Sequence, residues 1–240
     1  MSVRTFPTRE AMGEAAAEDV AKTIHQIMER KETVRMIFAS APSQLEMLTS
    51  LSTLDIPWSR VEAFHMDEYI GLPVEAPQGF GNWLQNHFFN VVEVGKTHLL
   101  DMNGSTDQTQ YYARELESAP IDIVCLGIGV NGHIAFNDPP VADFNDPLDI
   151  KTVELEPACR QQQVDEGCFA TLAEVPTHAV TLTIPRLLRA EHLFCIVPGA
   201  HKRTAVTATL HGPVSPDCPA SILNTHANCT LYLDAESAPA

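Results

Sequence analysis

The sequence predicts an α/β protein with a single domain, built on parallel strands with helices on both faces. Three observations carry that expectation. Short apolar runs rich in β-branched residues alternate with stretches of helical periodicity along the chain, a pattern that implies parallel pairing and helical cover on each face. Hydrophobic residues make up 45% of the 240 positions and charged residues 19%, enough to fill a substantial core. No internal repeat, low-complexity stretch or linker divides residues 1–240.

The elements follow in order. Residues 10–30 place Met12, Ala16, Val20, Ile24 and Ile27 at helical spacing, with acids early and Arg30 late, as the helix dipole favours. VRMIFAS (34–40) reads as a short buried strand, and SQLEMLTSLS (43–52) as a helix that Ser43 can cap. VEAFHMDEY (61–69) is the next strand and GFGNWLQNHFF (79–89) the next helix. Further strands are expected near 97–100, 121–127, 178–184, 192–197 and 229–233, with helices over 105–117, 185–190 and 200–210. Residues 138–177, rich in proline and scattered acids, read as an irregular lid or loop excursion.

Charge narrows the function classes. Fifteen basic residues against 31 acidic ones give a formal charge of −16. Such a chain repels polyanions, so neither nucleic acid nor an acidic membrane surface is expected as a partner. An anionic ligand must be caught by a few local groups. The six cysteines form no C-x-x-C pair, and there is no signal-peptide pattern or long apolar run. A reduced, cytoplasmic protein is the expectation. No His/Cys group has zinc spacing, and neither a metal nor an organic cofactor is expected.

LGIGVNGHIAFNDPP (126–140) holds Gly127, Gly129 and Gly132 in the spacing G-x-G-x-x-G. A dinucleotide loop must open a helix, but Pro139, Pro140 and Pro147 forbid one here. The alternative is a tight loop at a strand's carboxyl end, where α/β folds place ligands. His133 then projects into the crevice, with Asp138 near enough in sequence to orient its ring and leave the other nitrogen for a substrate proton. A histidine satisfying a turn carbonyl fits the spacing equally well. In FHMDEYIGL (64–72), adjacent strand residues face opposite sides, so only one of Asp67 and Glu68 can enter a given crevice as a general base. A solvated loop is the other reading. FASAPSQ (38–44) places Ser40, Ala41, Ser43 and Gln44 at a strand-to-helix turn, which either offers N–H and hydroxyl donors to an anion or simply connects two elements. VPGAHKRTAV (197–206) opens a helix with His201, Lys202 and Arg203, an arrangement unfavourable for the dipole unless an anion, most simply a phosphoryl group, offsets it. ACRQQQ (158–163) adds the guanidinium of Arg160.

MDEYIGL, GxGxxGHIAFNDP and GAHK, in this order, resemble the glucosamine-6-phosphate deaminase/isomerase family, which shares its fold with 6-phosphogluconolactonases. The likeness runs from about residue 35 to the last strand. It implies a single-domain three-layer α/β/α sandwich with a mainly parallel, Rossmann-like sheet, and an aldose–ketose isomerisation with loss of the 2-amino group. Asp67 matches the base that moves a proton between C2 and C1 of the open-chain sugar, and His133 the histidine that opens the ring, tuned by Asn131 and Asp138. Lys202 falls on the phosphate-binding lysine, Ser40–Gln44 on the phosphate loop, and Arg160 on the phosphate-binding arginine. The partner implied is a small hexose phosphate, and homo-oligomers and allosteric control occur in the family. Two loop positions depart from its usual N-D-G-H-I-A-F-N-E-P: Asn131 replaces a carboxylate, and Asp138 is one methylene shorter than glutamate. An amide holds geometry without stabilising an imidazolium as an anion does. Lactonases usually carry aspartate before the Gly-His and threonine after it, so HIAFN leans toward the deaminase side. Glucosamine 6-phosphate is the simplest substrate; a lactonase, another hexose-phosphate isomerase, or a sugar-phosphate-binding regulator without turnover are the alternatives.

Overall fold

The apolar runs become the strands of one parallel sheet. A computed structural model describes residues 1–239. Its elements are β1 (Ser2–Phe6), α1 (Arg9–Met28), β2 (Val34–Phe38), α2 (Leu45–Ser52), β3 (Val61–His65), β4 (Asp67–Ile70), α3 (Phe80–Leu84), α4 (Asn90–Val92), β5 (Lys96–His98), α5 (Thr106–Glu117), β6 (Ile123–Leu126), β7 (Ile150–Glu154), α6 (Pro157–Asp165), β8 (His178–Leu182), α7 (Ile184–Leu188), β9 (His192–Val197), α8 (Arg203–His211) and β10 (Cys229–Asp234). Seven strands pair in the order β1-β10-β9-β6-β2-β3-β5, all parallel. No helix of the described residues is long and apolar enough to cross a membrane.

Side-chain alternation along the strands builds two cores. On β2, Val34, Met36 and Phe38 join one apolar cluster while Ile37 joins the other. On β6, Ile123 and Cys125 face the first and Val124 and Leu126 the second. Helices α1 and α2 cover the first face with Met12, Ala16, Val20, Ile24, Met47 and Leu51. Helix α5 supplies Tyr112 and Leu116 to the other. Both faces of a parallel sheet must be covered because every interior strand is apolar on both sides, and the result is the three-layer sandwich.

The topology fixes where a ligand belongs. From β2 the chain steps outward through β3 to β5, then returns to β6 beside β2 and steps outward the other way through β9 and β10. The order therefore reverses between β2 and β6, and the crevice lies beyond their carboxyl ends.

The largest departure from the sequence reading is at 61–69. The run is not one strand: it breaks at Met66, and β4 pairs antiparallel with β8 in a second sheet of order β4-β8-β7. The break has a local cause. The Tyr112 hydroxyl accepts from the His65 N–H at 3.0 Å and donates to the His65 carbonyl at 2.5 Å, ending the ladder there. The His65 ring is fully buried and accepts the Leu100 N–H on Nε2 at 2.8 Å. Burial pushes its pKa down to about 3, keeping the imidazole neutral. Leu182 then donates to the Met66 carbonyl at 2.8 Å, handing the chain to β8.

Smaller corrections follow. Ser43 does not cap α2: residues Pro42–Gln44 form a 3₁₀ turn with no side-chain cap, and α2 starts at Leu45. The stretch 138–177 is not irregular throughout, since it carries β7 and α6, the latter opened by Pro157 where a missing N–H costs nothing. The run near 178–184 lies in the second sheet, not the parallel one. β1 is mostly exposed and polar, so its sequence gives no core signal. Helix 79–89 passes through a π turn at Gln85–Phe89.

Replacing Tyr112 by phenylalanine leaves the buried His65 N–H and carbonyl without that partner, a penalty of about 1–3 kcal/mol. Urea unfolding of Tyr112→Phe should show a lower midpoint of that size with an unchanged slope.

Candidate active site

Four chain segments end at the crevice, and one cleft is lined by Ser40, Ala41, Ser43, Asp67, Gly129, His133 and Lys202, together with Gln162, Gln163 and the rings of Phe80 and Phe136. The segments are the turn after β2, the β3–β4 crossing, the loop after β6 and the loop after β9.

Asp67 and Glu68 divide as strand geometry requires. Asp67 faces the cleft. Glu68 turns the other way, where Oε1 accepts the N–H of Tyr69 and Phe80 and Oε2 that of Gly81, holding the first turn of α3. Both are buried, so the solvated-loop alternative does not apply. Burial, reinforced by the Glu68 charge, raises the Asp67 carboxyl well above its ordinary value. Burial also raises Glu68, to about 7, against the pull of its three N–H donors. Asp67 thus combines a cleft position with raised basicity, as a group that both takes and returns a proton requires.

The loop after β6 is folded around His133. Its Nδ1 lies 2.8 Å from Asn131 Oδ1 and 3.0 Å from Asp138 Oδ1. Asn131 Nδ2 donates to the same Asp138 oxygen at 2.8 Å. Two acceptors at Nδ1 place a proton there, which leaves Nε2 free to exchange one. Burial works to raise the Asp138 pKa, but the bonds from His133 and Asn131 outweigh it and hold it below its ordinary value. The carboxylate absent at position 131 is therefore not absent from the ring, because Asp138 reaches it directly. Asn131 and Asp138 do not line the cleft; they sit behind the histidine.

Two glycines make this loop possible. A Cβ on Gly129 would come within 2.1–2.3 Å of the His133 ring atoms, so only glycine lets the ring lie there. Gly132 takes φ +85°, a conformation glycine adopts without strain. Beyond the histidine, Ala135 lines the cleft at φ 50°, a non-glycine left-handed residue that costs roughly 1–2 kcal/mol. Its neighbours hold it: Asn137 Nδ2 donates to the carbonyls of Ile134 and Leu182 at 2.9 Å each, and Phe136 N–H to Thr181 Oγ1 at 3.1 Å.

The same cleft is lined by the 40–43 turn and by Lys202, which is only 3% exposed. Its neighbours in sequence turn away: His201 is exposed, and Arg203 donates to the carbonyls of Glu236 and Ala235. Among the described residues Lys202 is the one lysine or arginine lining the cleft. Burial lowers its pKa, while Glu166, 3.4 Å away, works to raise it.

Two of the expected anion-binding residues are elsewhere. Arg160 points out of the cleft and donates to the carbonyls of Leu172 and Val175 at 2.7 and 2.8 Å, bracing the turn after α6. The same helix presents Gln162 and Gln163 instead, residues that the sequence offered in ACRQQQ but whose facing depended on a helix the prolines obscured. Gln44 is fully buried, and its Nε2 reaches the Leu126 and Ile196 carbonyls at 3.4 and 3.3 Å, tying β2, β6 and β9 together.

Among the described residues two clusters bring three possible metal ligands within 4.8 Å of one another: His133, Asp138 and Cys159, and Glu62, His98 and Glu115. In the first, the histidine nitrogen is turned to two acceptors. In the second, Arg35 and Lys96 neutralise the carboxylates. Neither donor set is arranged for a cation.

Comparison with known proteins places this geometry. Residues 7–146 match the family described as glucosamine-6-phosphate isomerases/6-phosphogluconolactonase. A glucosamine-6-phosphate deaminase of Bacillus cereus (strain B4264) is 31% identical over 239 residues, covering 99% of this chain and 88% of that protein. A solved monomeric glucosamine-6-phosphate deaminase superposes with a TM-score of 0.90 at 26% identity, over 99% of this chain and 98% of the other. A 6-phosphogluconolactonase from Thermotoga maritima shares the fold, with a TM-score of 0.77 at 18% identity over 97% and 98% of the two chains.

In Gly129→Ala the new methyl group displaces the His133 ring, the mobile partner of the clash, with the fold retained. The imidazole Nδ1–H resonance of the wild-type protein, protected between Asn131 and Asp138, should be lost from the ¹⁵N-correlated spectrum of the variant.

Proposed function

Because the chain belongs to the glucosamine-6-phosphate isomerase/6-phosphogluconolactonase family, a family of enzymes, we propose that it deaminates an amino-sugar 6-phosphate, most simply converting glucosamine 6-phosphate and water to fructose 6-phosphate and ammonia. The observation that carries this reading is that Asp67, His133, Lys202 and the 40–43 turn line one cleft. An acid–base pair and an anion site in one cleft suit a phosphorylated sugar held by one end and reacting at the other.

The roles are those the family resemblance implies, and the geometry suits them. Lys202 pairs with the phosphoryl group, and Ser40 and Ser43 offer it hydroxyl donors. His133, with its proton on Nδ1, uses Nε2 to take the anomeric hydroxyl proton and return it to the ring oxygen, opening the pyranose. Asp67 then removes the proton from C2 and delivers it to C1, while O1 gains the proton that the amino group gives up, leaving a ketimine at C2. Water adds to that carbon and ammonia departs, which balances the reaction. Asp138 faces the imidazole at 3.0 Å and stabilises any positive charge it gains. The rings of Phe80 and Phe136 wall the cleft and limit water around the reacting carbons.

Asp67 must be ionised to accept the C2 proton. Its pKa lies well above the ordinary carboxylate value because of burial and the Glu68 charge, so kcat/KM rises with pH through a limb above that ordinary range. Glu68→Gln removes one of the two causes and should move the limb to lower pH. Coupled assay of ammonia should show Asp67→Asn reduced by roughly 10²-fold or more with the fold intact. Equal ammonia release by the variant would remove Asp67 from its role. Hydrolysis of 6-phosphogluconolactone with no ammonia from glucosamine 6-phosphate would replace the deaminase with the lactonase.

A further inference from the structure

A carboxylate stands beside the lysine of the proposed phosphate site. Glu166 Oε1 lies 3.4 Å from Lys202 Nζ and accepts from Gln162 Nε2 at 2.7 Å. The exposed His201 approaches the same oxygen at 3.7 Å. Gln162 in turn accepts the Val130 N–H on its Oε1 at 3.0 Å, so the carboxylate is held in place through Gln162 by the loop that carries His133. With Arg160 and Arg203 both engaged elsewhere, no second lysine or arginine of the described residues reaches the cleft to offset that negative charge.

An ion pair at the point where a phosphate must land is a competitor with it. Lys202 is almost fully buried, and a buried ammonium without an anion is costly. Glu166 meets that need while the cleft is empty. A phosphoryl group arriving at Lys202 brings like charge against the carboxylate, so the two cannot share the lysine without repulsion. Glu166 closes α6 with its side chain 15% exposed, and the next residue, Gly167, takes φ +77°.

We propose that Glu166 is an internal competitor for substrate phosphate, holding Lys202 in the empty cleft and surrendering it when the phosphoryl group binds, so that Glu166 sets the affinity of the phosphate end. The proposal rests on the reading that Lys202 receives the phosphate. It makes Glu166 a specificity-determining residue: the carboxylate weakens binding of any compact anion and favours ligands whose sugar moiety supplies the remaining contacts.

The test is calorimetric titration with inorganic phosphate of the wild type, Glu166→Gln, Glu166→Ala and, as a control for the site, Lys202→Met. Removing the competing charge should tighten phosphate binding at least about fivefold, and Lys202→Met should abolish it. A gain of affinity cannot arise from damage to the fold. In turnover, the effect should fall on KM more than on kcat. Tighter phosphate binding in either Glu166 variant supports the proposal, and binding no tighter than wild type in both overturns it. The titration needs no reaction, so a failure to release ammonia would defeat the deaminase reading and leave this one standing, while unchanged phosphate affinity would do the reverse.

Discussion

Between His65 and Asp67 the chain leaves the parallel sheet for the antiparallel one, and the position of the proposed acid–base pair depends on that crossing. Had β3 continued straight, Asp67 and Glu68 would have extended the ladder beside β2, with no cleft in front of them. Instead the Tyr112 hydroxyl bonds both backbone groups of His65, the Leu100 N–H donates to the neutral ring, and the Leu182 N–H donates to the Met66 carbonyl. The crossing turns Asp67 toward the cleft and Glu68 toward the start of α3. The same second sheet fixes the far side of the histidine loop, because Thr181 and Leu182 of β8 bind Phe136 and Asn137. One change of strand partner therefore positions groups from two distant segments.

Electrostatics are handled locally in a protein with a formal charge of −16. Burial raises the pKa of both carboxyls at the crossing, reinforced at Asp67 by the Glu68 charge and opposed at Glu68 by its three N–H donors. Asp138, equally hidden, moves the other way because it collects donors from His133 and Asn131. Two acids in one site are thus driven apart, one toward holding a proton and one toward staying ionised, which is the division of labour that acid–base chemistry requires. Lys202 stands within the cleft against this acidic background, and its partner is an acid of the chain itself.

Much of this was legible in the sequence, and the failures have physical reasons. The glycine loop was recognisable because prolines after it excluded a helix, and the structure seats His133 where Gly129 leaves room. The strand-to-helix turn and Lys202 were readable from small residues and a cationic helix start. Arg160 misled because a guanidinium in a stretch without visible periodicity has no defined facing; once 157–165 is a helix, Gln162 and Gln163 face the cleft and Arg160 does not. Gln44 misled because its amide can serve a ligand or strand carbonyls, and burial decided for the carbonyls. The break at Met66 could not be read from 61–69, since its cause is a tyrosine hydroxyl from α5. Glu166 left no signal of its own, because a surface-like acid in a turn becomes notable only when a buried lysine lies beside it.

If one cleft binds phosphate at Lys202 and moves protons between Asp67 and His133, a crystal structure with a bound hexose 6-phosphate will show the phosphoryl group on Lys202 and the 40–43 turn, Glu166 withdrawn from the lysine, and C1 and C2 of the sugar within about 3–3.5 Å of the Asp67 carboxylate. A phosphate bound away from Lys202, or a sugar whose C1 and C2 lie out of reach of Asp67, would contradict it.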